Sequence, residues 1–186
     1  EAERLLTDAS PLVRGAAVPS LQISSIVAMP GPPGARGAAW ILAGQHLIHV
    51  VSGTVLWQRQ ELPVPTVSGA FPMEVWADGT RGRLGYTDGT VFSLPSRVKI
   101  GDRLPTPQQR AVDYVAACGQ AFALAPEGLF RLTSPTAETV GKWVPVPAGP
   151  LDANGFEGGR VHALAGELHL FTAFGESARL PIGPCP

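Results

Sequence analysis

Four histidines, His46, His49, His162 and His169, and two cysteines, Cys118 and Cys185, are the residue types here that could ligate a metal or act as nucleophiles. His46 and His49 stand three apart in an alternating run. On a strand they point to opposite faces and cannot chelate one ion. His162 and His169 fall in different expected strands, so polar-face or hydrogen-bonding roles are expected for all four. Two thiols far apart in sequence make no metal site. They are either a disulfide or two buried free thiols. The disulfide is the expectation, because Cys185 lies in the last two residues, where an unpaired thiol gains little from packing. It would close a loop of nearly seventy residues. The chain-entropy model gives roughly 4 kcal/mol for such a loop. It would also imply an oxidising compartment, the periplasm or the outside of the cell.

The acidic residues are scattered. The stretch 76–89, WADGTRGRLGYTDG, holds two Asp-Gly pairs, but a calcium loop needs more oxygen ligands close by, and turn chemistry accounts for both. No Gly-x-Ser-x-Gly elbow and no phosphate loop occurs. A paired acid–base site would therefore have to be assembled across repeats. No metal and no cofactor is expected.

What positions these residues is a repeat. The run APEGLFRL (125–132) has relatives in YTDGTVFSL (86–94), LAGQHLIHV (42–50) and TAFGESARL (172–180). Their glycines, at 44, 89, 128 and 175, recur every 39 to 47 residues. A proline-rich marker follows the same beat in ELPVP (61–65), RLPTP (103–107), WVPVP (143–147) and RLPIGP (179–184). Short alternating strands at this period predict an all-β chain, a β-propeller of four-stranded antiparallel blades. The units run at about 21–65, 66–107, 108–150 and 151–186, within a single domain. Residues 3–20 align with 130–147, so residues 1–20 are expected to complete a blade. The count is four blades with a shared closing blade, or part of a larger propeller. A competing helical reading exists for residues 108–125.

The blade unit, DGTVFSL with AFALAPEGLFRL, resembles the generic blades of PQQ-like, NHL and kelch-type β-propellers over about residues 3–182. The resemblance implies the architecture and no catalytic residue. The PQQ-enzyme tryptophan docking pattern and the sialidase Asp-box are missing, and the kelch double glycine occurs once, at Gly158-Gly159.

Composition bounds the function. Of the 186 residues 45% are hydrophobic and 16% charged, enough for a real core. The net charge of −1 offers no basic field for nucleic acid. No apolar run approaches a membrane span. A bias to arginine, with Lys99 and Lys142 the only lysines, suggests a bacterial genome rich in G and C. A start at Glu1 without Met suggests processing or trimming. Trp40, Trp57, Trp76 and Trp143 are expected in strands, as packing residues. Turn positions divide the charges. Asp88 and Glu127, with Asp152 and Glu157, are expected on one face; Arg36 and Arg81, with Arg97 and Lys99, on the other. Asp88, Glu127, Arg36 and Arg81 are the candidate binding residues. The expected function is a noncatalytic, secreted or periplasmic binding or assembly module contacting a protein or a glycan. The alternative is an extracellular carbohydrate-active lyase or hydrolase with carboxylates and an arginine at a central channel.

Overall fold

The structure, a computed structural model, describes residues 23–29, 37–51, 57–79, 81–106, 108–135, 139–147 and 155–182. The expected N-terminal closing strand lies outside them.

The described chain is all-β. The first sheet holds β1 (Ile23–Met29), β2 (Ala38–Ala43), β3 (His46–Val51) and β4 (Trp57–Gln60). The second holds β5 (Pro72–Asp78), β6 (Arg81–Tyr86), β7 (Val91–Leu94) and β8 (Lys99–Gly101). The third holds β9 (Asp113–Ala117), β10 (Gln120–Ala125), β11 (Gly128–Leu132) and β12 (Trp143–Val146). The fourth has three described strands, β13 (Arg160–Leu164), β14 (Glu167–Phe171) and β15 (Ser177–Pro181). Every sheet is an antiparallel meander in chain order. All four tryptophans lie in strands, and the helical reading of 108–125 falls, because this segment is the β9–β10 hairpin.

Turn chemistry sets the registers. Cys118-Gly119 and Ala165-Gly166 are two-residue turns with φ of 52° and 70°, and 51° and 81°. Two successive positive φ values give the primed turn whose twist matches a hairpin. The turn between β10 and β11 is Pro126-Glu127, and Gly128 opens β11 rather than sharing the turn, with φ of 148°.

The first strands pack side by side: β1 against β5, β5 against β9, β9 against β13. No comparable packing joins β13 to β1 among the described residues. Three cores fill the gaps between successive sheets. Trp40, Leu42, Leu84 and Tyr86 lie between the first two, Trp76, Tyr114, Phe130 and Trp143 between the next two, and Phe122, Leu124, Val161 and Leu170 between the last two. Alternation explains this: inner sheets bury both faces, so both parities of their strands are apolar. Gly85 is required by close packing, since a Cβ there would stand 2.5 Å from the Tyr114 ring and 2.8 Å from that of Trp76.

Candidate functional site

The chemistry of the chain gathers on the first strands. Ser25 Oγ on β1 donates to the carbonyl of Val75 (3.0 Å) and accepts its amide (3.2 Å). Glu74 Oε2 on β5 accepts the amide of Tyr114 at 3.0 Å. Asp113 Oδ2 on β9 accepts the amide of Val161 at 2.8 Å. Each side chain thus latches onto the first strand of the next sheet, capping an amide that no ladder satisfies. The three positions are equivalent in register, paired with Leu42, Gly85 and Leu124 on their second strands. The fourth equivalent, paired with Phe171, is Arg160. A guanidinium has no acceptor to offer an amide. Instead Arg160 Nη1 reaches back toward the carbonyls of Val112 (3.4 Å) and Gly159 (3.3 Å).

Between β5, β9 and β13 opens a cleft of about 480 Å³, lined by Glu74, Trp76, Asp113, Tyr114, Arg160 and His162. Burial pushes the Glu74 carboxyl up to about 8, aided by the negative charge of Asp113 and a hydrogen bond between the two; the Tyr114 amide and Arg160 oppose the shift. Glu74 thus keeps its proton into the neutral range. Trp76 stacks on Tyr114 at 4.8 Å, and its buried Nε1 has no hydrogen-bond partner. The Tyr114 hydroxyl donates to the carbonyl of Tyr86 at 2.6 Å, and burial holds its pKa well above the ordinary phenol value. A Glu74 protonated at neutral pH could donate a proton. Asp113 is nearly buried and has an amide on each carboxylate oxygen, Tyr114 at 3.1 Å and Val161 at 2.8 Å.

The residues expected to bind are not gathered in this cleft. Asp88 is buried in the β6–β7 turn, where Oδ1 accepts the amide of Thr90 (2.9 Å) and Oδ2 accepts the amide of Val67 (2.9 Å) and the hydroxyl of Thr90 (2.8 Å). Glu127 is exposed in the β10–β11 turn. Arg81 is exposed at the start of β6, at the other end of that strand from Asp88. Arg36 lies outside the described residues. Cys118 holds its turn; Cys185 lies outside the described residues. His162 and His169 are on different strands, as expected, but directly opposite one another. A signal for that pairing exists in the sequence, since a two-residue turn at Ala165-Gly166 makes 162 and 169 partners. The latch positions carry a signal too: Glu74, Asp113 and Arg160 each stand fifteen residues ahead of the repeat glycines at 89, 128 and 175.

No family model and no curated protein matches the chain. Solved structures do. The computationally designed Ika4 protein superposes with a TM-score of 0.57 at 10% identity, covering 87% of this chain and 91% of that one. Virginiamycin B lyase from Staphylococcus aureus, solved with quinupristin, superposes with a TM-score of 0.53 at 13% identity. That match covers 87% of this chain and 56% of the lyase, so the chain spans little more than half the lyase's length. The protein therefore has a β-rich fold of antiparallel sheets with propeller-like neighbours.

Proposed function

We propose that the four sheets are consecutive blades of a β-propeller and that the protein is a noncatalytic binding or assembly module, contacting a protein or a glycan. One observation carries this reading: the carboxylates of the central cleft are already engaged on backbone amides of the next sheet, as parts of the scaffold. Asp113 in particular accepts an amide on each carboxylate oxygen and a hydrogen bond from Glu74 besides, which ties it into the scaffold. The sheets then act as a rigid support for loops and edges, which suits recognition. The likeness to a lyase concerns the fold, and activity does not follow from fold.

The second reading, a carbohydrate-active lyase or hydrolase, draws on the raised pKa of Glu74 beside Arg160 in one cleft. The two readings separate in a depolymerisation assay. Purified protein incubated with acidic and neutral polysaccharides is expected to release no new reducing ends and no unsaturated products. Product release that disappears in Glu74→Gln would establish the enzyme instead.

We also place the protein in an oxidising compartment, through a Cys118–Cys185 bridge. Alkylation of unreduced, denatured protein followed by intact-mass measurement is expected to add no label, and two labels after reduction. Two labels without reduction would remove both the bridge and the localisation argument.

A further inference from the structure

The cleft between β5, β9 and β13 has its acceptors in use and its donors to spare. Glu74 Oε2 is held by the Tyr114 amide, and the two Asp113 oxygens by the amides of Tyr114 and Val161. The hydrogen bond between the two carboxyls engages them further. Arg160 is the contrast. It fills the fourth latch position, where the other three sheets place an acceptor, and it is exposed. Among the described residues its guanidinium has the two carbonyl contacts at 3.4 and 3.3 Å, both long and both through Nη1. It is close enough to oppose the Glu74 shift, but it is the smallest of the influences on that carboxyl. The N–H groups on Nε and Nη2 are left to donate elsewhere. His162, two residues along β13, lines the same cleft with a further ring nitrogen able to donate. The surplus extends to Trp76 on the β5 wall, whose buried Nε1 has no acceptor. A molecule that fits this cleft must therefore bring acceptors.

We propose that this cleft binds a small organic monocarboxylate, with its carboxylate on Arg160 and its apolar body against Ala77, Ala116 and Ala163. A guanidinium meets a carboxylate through two parallel N–H bonds, which gives orientation as well as charge. The three alanines carry nothing beyond Cβ, so first strands that pack side by side still leave about 480 Å³ open. Small-molecule sites run from roughly 300 to 1,000 Å³. The charged and titratable groups facing the ligand are Glu74 from β5, Asp113 from β9, and Arg160 with His162 from β13. Asp113 opposes an anion, but it is buried with an amide on each oxygen, whereas Arg160 is exposed. Glu74 stays neutral until the pH approaches about 8. A cation suits the cleft less, because Arg160 repels it and the carboxyl oxygens it would need are held by amides. The proposal goes beyond the contact with a protein or a glycan, and it fails separately from that reading.

The test is calorimetric titration of the full chain with three probes of one shape: benzoate, the neutral benzamide and the cationic benzylamine. Benzoate alone is expected to bind at pH 7. Arg160→Gln should weaken it at least about tenfold, by removing the charged fork. Ala163→Leu should weaken it to a similar degree, by filling the cleft and leaving every latch in place. Both substitutions fall at exposed positions, and unchanged melting would verify their folding. Benzoate affinity should also fall by up to about tenfold between pH 7 and pH 9, as Glu74 takes on its charge, and Glu74→Gln should remove that fall. Equal binding of benzamide or benzylamine, no binding of benzoate, or undiminished binding by either exposed variant would overturn the proposal. A fall with pH that persists in Glu74→Gln would place the carboxylate away from Glu74, and would overturn it as well.

Discussion

Asp88→Ala is expected to cost about 3–5 kcal/mol, and to lower the melting temperature by on the order of 10 °C. The reason is the number of groups that one carboxylate serves. It holds the Thr90 amide and hydroxyl inside its own turn, and the Val67 amide in the connection leading from the first sheet to the second. The Thr90 hydroxyl in turn accepts the amide of Thr66. Around the same turn, the Asp88 carbonyl accepts the amide of Leu104, and the Gly89 carbonyl accepts Trp143 Nε1 at 2.8 Å. A connection on either side of the second sheet and a strand of the third thus converge on Asp88-Gly89-Thr90. Truncation leaves two amides and a hydroxyl buried without an acceptor, and each buried unsatisfied group costs about 1–3 kcal/mol. Asp88→Asn keeps one acceptor oxygen and should lose about half as much. Denaturant melts of the three proteins check this. A loss under 1 kcal/mol for the alanine variant would show that water or neighbours replace the carboxylate.

That result would also bear on how the sequence is read. Asp88 was legible as a turn residue, since Asp-Gly between two alternating runs has a clear local cause. Its partners were not legible, because Val67 and Leu104 are brought to it by tertiary packing, and nothing in their side chains announces an amide in need of an acceptor. The strands and hairpins themselves were readable for a similar local reason. Period-2 alternation and turns that demand positive φ act over a few residues, as at Cys118-Gly119. The latches are the opposite case. Ser25, Glu74 and Asp113 share no side-chain type; they share only an acceptor oxygen at one register position. A hydroxyl, a long carboxylate and a short one fill the same place, so residue identity conceals the repeat. Arg160 at the fourth position carries no mark of the series in its side-chain type either. The distance between neighbouring first strands turns these four residues into a series, and that distance is a property of packing.

The Glu74 latch carries the second large expectation, which concerns pH. Its carboxyl titrates near the ordinary 4.5 in the unfolded chain and at about 8 in the folded one. A raised folded value means that the native state holds a proton that the unfolded state releases. The stability linked to this group is fully present below about pH 4.5, and is lost as the pH rises toward 8. The slope is at most about 1.4 kcal/mol per pH unit, so the loss across this window is on the order of a few kcal/mol. Glu74→Gln is neutral at every pH, keeps a carbonyl oxygen for the Tyr114 amide, and offers its amide protons to Asp113. Thermal melts from pH 5 to pH 9 should then cross. The variant is expected to match or fall slightly below wild type at pH 5 and to melt well above it at pH 8.5. Parallel curves would mean that Glu74 is ionised in the native state throughout, with Arg160 or solvent carrying the charge that the buried pair is argued to avoid.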